Sequence, residues 1–312
     1  MGQTSLLDRR SFVAALGATG LVGCRGGSSG KVHILTGSGA GAPSGALMRL
    51  FARHLEKLGL STTLENLPRA GGKLAAQRLA GAATDGSVIA ALPTGLLYAQ
   101  LLGENGASWD LTRFQWIGNF SSDRRVLAVS GQSGVDRFDQ LIGRQRPLLL
   151  AATSATSPSF YESHIVRHLT GAHIQVVPGF AGGARNLAIL SGEVDGVIAA
   201  LDGLGPVLSM PGAHVLLRLN DLPLPANAAA QSPTAVLLRD VAQGPDATPL
   251  TELVSAHSLL GRLLALPPGS PPEVVALWRS RFQLIEADPD FRKAAAAAQY
   301  ELSSVPGEAV AD

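Results

Sequence analysis

Beyond residue 30 the chain alternates short apolar runs with longer stretches whose apolar residues recur every three or four positions. The runs at 31–36 (KVHILT), 61–64 and 88–92 read as strands, because each is short, apolar and bounded by glycine or polar residues. Between them, residues 46–58 place Leu47, Leu50, Phe51 and Leu55 on one helical face, and 73–83 do the same with Leu74 and Leu79. A second set follows: strands at 126–129, 147–152, 173–177, 194–200 and 215–219, with helices at 138–143, 159–169 and 182–190. Two closing helices are predicted at 271–285 and 289–298, the first marked by Pro271-Pro272-Glu273. The β-α-β rhythm predicts an α/β fold of two lobes, each a mostly parallel sheet flanked by helices. The expected division is 31–128 plus 256–312 for the first lobe and 129–255 for the second.

The first 30 residues follow a different pattern. Arg9-Arg10-Ser11-Phe12 is a twin-arginine pattern, a mildly apolar run continues to Val22, and Leu21-Val22-Gly23-Cys24 ends it. Basic start, short apolar segment, small residues and cysteine together read as a lipoprotein signal, with residues 1–23 removed and Cys24 lipidated. The run is shorter than the roughly 20 apolar residues a membrane-spanning helix needs. Residues 24–30 contain no large apolar side chain and are expected to form a flexible tether. The predicted location is the periplasm or cell envelope, anchored to a membrane by lipid. Gly26, Ser28 and Gly30 match G-x-S-x-G, but no strand precedes them to form a nucleophile elbow.

Removal of the signal leaves 289 residues with 23 basic and 23 acidic side chains. That neutrality offers no basic face, so nucleic acid is not an expected partner. Cys24 is the single cysteine, so no internal disulfide forms.

Three stretches carry a family resemblance. Glu65-Asn66-Leu67-Pro68-Arg69-Ala70-Gly71-Gly72, followed by Ala82-Ala83-Thr84-Asp85-Gly86, is similar to E-N-R-P-G-A-G-G … A-x-P-D-G. Val177-Pro178-Gly179-Phe180-Ala181-Gly182-Gly183, with Leu190-Ser191-Gly192-Glu193-Val194-Asp195, is similar to V-P-Y-x-G-G … L-x-G-x-V-D. Leu266-Pro267-Pro268-Gly269-Ser270-Pro271 with Ala287-Asp288-Pro289-Asp290 resembles A-P-x-G-T-P and A-D-P-x. In order and spacing the chain resembles the Bug-type periplasmic solute-binding proteins of tripartite tricarboxylate transporters, as a divergent member. The resemblance implies a type 2 Venus flytrap architecture, a monomer without enzymatic activity or cofactor, a small carboxylate ligand held between the lobes, and membrane transporter subunits as partners. It places Ser38, Gly39, Ala40, Gly41 and Ser44, Thr94 and Gly95, Ser154, Thr156 and Ser157, and Phe180 and Gly182 at the cleft. The sequence departs from the family at the first loop, where Gly45 replaces an acidic residue, and over 220–250.

The residues also have a reading of their own. A glycine-rich segment between strand and helix, residues 37–45, presents backbone N–H groups suited to an anion, or is a plain tight turn. Gly37, Gly39 and Ala42, with Glu65, approximate a dinucleotide fingerprint, which an exported context disfavours. Thr153, Ser154, Thr156, Ser157 and Ser159 offer five hydroxyls before a helix, as anion donors or as an N-cap at Ser157 or Ser159. Arg185 beside Gly182-Gly183 is either a ligand cation or a surface residue. His164 and His168 share a helical face, but no glutamate or cysteine completes a zinc set, so no metal is expected. An exported lipoprotein hydrolase and a ligand-sensing receptor for a signalling system remain as alternatives.

Overall fold

A computed structural model describes residues 30–39, 43–104, 108–180, 182–298, 300 and 302–311. The predicted signal, the tether before Gly30 and Cys24 lie outside these residues, as do Ala40 and Gly41 of the predicted site. The first part of the chain runs β1 (Lys31–Thr36), α1 (Pro43–Lys57), β2 (Ser61–Asn66), α2 (Lys73–Ala80), β3 (Val88–Leu92), α3 (Gly95–Leu101) and β4 (Gln115–Asn119). It continues through β5 (Arg125–Val129), β6 (Leu148–Ala152), α4 (Pro158–Thr170), β7 (Ile174–Pro178), α5 (Gly183–Leu190), β8 (Gly196–Ala200) and α6 (Gly205–Leu208). Next come β9 (His214–Arg218), α7 (Ala226–Gln231), β10 (Val236–Leu237), α8 (Leu238–Val241) and α9 (Ala247–Leu259). The chain then returns as β11 (Leu263–Leu266), α10 (Pro272–Ala287), α11 (Pro289–Ala297), β12 (Val305–Pro306) and α12 (Gly307–Ala311).

These strands form two six-stranded sheets, ordered β12-β4-β11-β3-β1-β2 and β10-β9-β5-β8-β6-β7. Each is the centre of a three-layer α/β lobe. Alternation along β1 shows why: Val32 and Ile34 face the core made with α1, α10 and α11, while Leu35 faces the core made with α2 and α3. In the second lobe, Leu148 and Leu150 of β6 face α4 and α9, and Ala151 faces α5 and α6. Aromatic residues are few, and they concentrate where Phe51, Phe120, Trp278, Phe282 and Phe291 fill one core of the first lobe.

Most strands run the same way, with β1 parallel to β2 and β3, and β6 parallel to β7 and β8. The reversed central strands are β11, antiparallel to β3 and β4, and β5, antiparallel to β8 and β9. Both are strands by which the chain enters one lobe from the other. An entering strand starts at the edge that faces the other lobe, where the parallel strands end, so it must run backwards.

The crossings therefore lie between β4 and β5 and between α9 and β11. This differs from the expected division: β5 belongs wholly to the second sheet, and His257 of α9 faces Glu162 of α4 in the second lobe. The second lobe thus begins before residue 129 and continues past 255.

Candidate functional site between the lobes

Parallel strands place ligands in the crevice outside their carboxyl ends. Here β1, β2 and β3 end at Thr36, Asn66 and Leu92, and β6, β7 and β8 end at Ala152, Pro178 and Ala200. The loops after them form the facing walls of the cleft.

On the first lobe, the Gly37 N–H donates to Ala91 O (3.1 Å) and the Ser38 N–H to Thr36 Oγ1 (3.2 Å). A Cβ on Gly37 would stand 2.5 Å from Pro93 Cδ and 3.0 Å from Gly72 Cα, so this position demands glycine. The close approach is made possible by Ala70, Gly71 and Gly72, all left-handed, at φ 52°, 67° and 87°. Ala70 is the one non-glycine residue with positive φ among the described residues, a conformation costing about 1–2 kcal/mol. Ser44 lies in the first turn of α1, half-buried.

On the second lobe, the hydroxyls after β6 are engaged with one another. Ser157 Oγ donates to Ser154 O (2.7 Å), accepts from the Ser154 N–H (3.2 Å) and lies 3.0 Å from Ser159 Oγ. Ser154 Oγ and Thr156 Oγ1 are 3.3 Å apart. Ser157 occupies the N-cap position of α4, yet its side chain makes no cap hydrogen bond; it stitches the turn instead. After β7, the Gly179 and Phe180 N–H groups both donate to Ala152 O, and the Phe180 ring packs partly buried against the second core. Gly182, at φ 57°, is the N-cap of α5.

The lobes meet at these loops. The Cβ position of Gly71 is 3.6 Å from Thr156 Oγ1, and that of Gly95 is 3.0 Å from Pro158 Cδ. Gly95 is thus brought to Pro158, next to Ser157, and Gly71 to Thr156, with Ser38 and Gly39 adjoining Gly37 at Pro93. Ala70, Gly71 and Gly72 were not among the residues expected at the cleft, although the Ala-Gly-Gly run was a usable signal.

Two ionic clusters beside the loops had no such signal. Arg262, just before β11, donates to Ser121 Oγ (2.7 Å), Asp123 Oδ1 (3.0 Å) and Asp202 Oδ2 (2.8 Å), and Tyr300 stacks over its guanidinium at 5.6 Å. Burial pushes the Asp123 carboxyl up, against the pull of Arg262. In the second cluster, Arg125 pairs with the fully buried Glu162, which His257 Nδ1 approaches at 3.3 Å. Tyr98 of α3 lies against the His257 ring at 4.7 Å across the lobe boundary. A groove of about 630 Å³ runs beside the first cluster, lined in part by Ser122, Leu208, Asn227 and Tyr300; it includes none of the predicted ligand residues.

Other predicted chemistry resolves simply. Glu65 is held by Arg78 (2.5 Å) and His33 (3.2 Å), so it is not poised for a ribose. His168 contacts Asp246 (3.1 Å) while His164 stacks on Phe160 (4.5 Å). Among the described residues no group of three or more histidine, cysteine or acidic side chains is arranged to hold a metal, and no helix is long and apolar enough to cross a membrane.

Two lobes of this topology, hinged by two crossings and facing each other with their strand ends, have the fold of the periplasmic solute-binding proteins. The chain is similar in structure to a TctC solute binding protein from Polaromonas (TM-score 0.67, 17% identity, 90% of this chain and 92% of that one covered). It is similar to the periplasmic binding protein BugD (TM-score 0.65, 17% identity, covering 90% and 91%). It is also similar to MatC from Rhodopseudomonas palustris with bound malate (TM-score 0.64, 20% identity, covering 86% and 88%). No family model matches the sequence, and no curated protein matches it. The architecture expected from the sequence is the architecture found.

Proposed function

We propose that this chain is an extracytoplasmic solute-binding receptor of the tripartite tricarboxylate type. It captures a small carboxylate between its lobes and presents it to membrane transporter subunits. The observation that carries this reading is the meeting of Thr94-Gly95 with the hydroxyl turn Ser154, Thr156 and Ser157 through Gly95 and Pro158. That junction brings the candidate donor loops of opposite lobes side by side, so a ligand touching both would favour the closed state. The similar structures are binding proteins, one of them with malate, which supports capture over turnover. The Gly39 N–H and the Ser154 and Thr156 hydroxyls are the donors, each hydrogen bond to a carboxylate contributing about 1.5–3 kcal/mol. Anchoring through lipid on Cys24 would keep the receptor at the envelope membrane.

Thermal unfolding of residues 25–312 against malate, succinate, adipate and their amino or amide analogues tests the reading. At 100 times Kd a ligand should add about 2.7 kcal/mol of stability, and small-angle scattering should show a more compact molecule. Hydrolysis of an ester or phosphate panel, with no carboxylate stabilising the protein, would overturn it.

A further inference from the structure

Arg185 stands in the first turn of α5, just after Gly182 and Gly183. Its side chain does not extend into solvent. Nη2 donates to Gly203 O (2.9 Å) and Nε to Asn186 Oδ1 (3.1 Å), leaving the residue half-buried. Gly203 lies past the end of β8, whereas α5 follows β7, and β6 stands between those two strands. With strands about 4.8 Å apart, the side chain reaches across the end of β6, the strand that leads into the hydroxyl turn. Gly203 permits the approach, since a Cβ there would lie 3.3 Å from Nη2.

The partners are the unusual part. The arginines of the neighbouring clusters are matched by carboxylates, Arg125 by Glu162 and Arg262 by Asp123 and Asp202. Arg185 is held by two neutral acceptors, and among the described residues it forms no ion pair with a carboxylate. Asp202, whose field reaches it, is bonded to Arg262. Burial and the repulsion of Arg125 both act against its charge, and Asp202 only partly compensates. A guanidinium stays protonated nevertheless, so a half-buried positive charge without a bonded carboxylate stands beside the carboxyl ends of the second-lobe strands. Its planar fork suits a carboxylate in bidentate contact.

We infer that Arg185 is the charge-selecting residue of the cleft, taking one carboxylate of a ligand that carries two while the backbone and hydroxyl loops hold the other. This rests on the receptor reading and narrows its ligand class to small dianions. The test compares matched pairs on the mature chain: succinate with butyrate and adipate with hexanoate, by calorimetry, for wild type, Arg185→Gln and Arg185→Lys. Wild type should favour the dicarboxylate by about tenfold or more, Arg185→Lys should keep part of that preference, and Arg185→Gln should lose it while still binding the monocarboxylate. The ratio within one variant is insensitive to general destabilisation, which would weaken both members of a pair. Equal binding of the paired ligands to wild type, or an unchanged ratio in Arg185→Gln, would overturn the role of Arg185 and leave the receptor reading intact. Failure of every carboxylate to bind any variant would overturn both.

Discussion

Asp202, two residues beyond a second-lobe strand, accepts a 2.8 Å hydrogen bond from Arg262, the residue just before a first-lobe strand. The same guanidinium holds Asp123 in the other crossing, so one side chain ties both crossings and the second lobe together. Replacing Arg262 with Met should cost about 3–5 kcal/mol, because Asp123 would be left buried and unpaired. Asp202→Asn removes only a partly exposed partner and should cost below about 1 kcal/mol, while loosening the hinge. Urea unfolding measures both; comparable small losses would show that the network does not hold the crossings.

Glu162 gives the stability of the second lobe a pH dependence. Burial alone would raise its carboxyl pKa, but Arg125 and His257 outweigh that and bring it below the ordinary 4.5. A carboxyl whose folded pKa lies below its unfolded one stabilises the fold fully above about pH 4.5, and that contribution fades as the pH falls toward the lowered value. Glu162→Gln should flatten this acid limb and cost about 3–5 kcal/mol at neutral pH, since Arg125 loses its partner. Unfolding curves from pH 3 to 7 decide the matter, and parallel slopes for the two proteins would contradict it.

A side chain at Gly95 should act as a wedge. Its Cβ position is already 3.0 Å from Pro158 of the opposite lobe, so Gly95→Val forces the lobes apart or displaces the loop. The expected result is a larger radius of gyration and weaker ligand binding, with a melting temperature lowered by only a few degrees. A variant that scatters like wild type and binds as tightly would show that the lobes do not close through this contact.

Ser157→Ala should destabilise the ligand-free protein by about 1 kcal/mol, because its hydroxyl ties both ends of the Ser154 turn. Ser154→Ala, which removes a weaker 3.3 Å contact with Thr156, should affect ligand affinity more than stability. The reverse pattern in melting and calorimetry would assign the two hydroxyls the opposite roles.

Cys24→Ala should release the folded protein from the membrane fraction or leave an uncleaved precursor. Arg9→Lys with Arg10→Lys should block export if the twin-arginine route is used. Fractionation and mass spectrometry read both; an unlipidated mature wild-type protein would remove the anchor.

Sequence periodicity located the elements with long, regular apolar faces, such as α1, α4 and α10, within a few residues. It left out α9, where Thr248, Pro249 and Thr251 look like loop residues but Val254, His257 and Ser258 are buried. It also left out β11, four residues long and fixed only by its neighbours β3 and β4. The glycine-rich and hydroxyl loops were legible because Gly, Ser, Thr and Pro cluster there without the apolar residues that a strand or helix needs. The ionic clusters were not, since Arg262 and Asp123 are 139 positions apart and ordinary charged residues by themselves.

The reversal of β11 bears on how the molecule is made. This strand occupies the middle of the first sheet, between β3 and β4, yet every residue of the second lobe precedes it in the chain. A nascent chain can therefore finish the second lobe while the first has only β1, β2 and β3 paired, with β3 showing an unpaired edge and β4 unpaired on both sides. At typical synthesis rates that interval lasts on the order of ten seconds. The half-made first lobe is the stage at which this protein is most exposed to wrong pairing, and the one at which a holding chaperone would matter most.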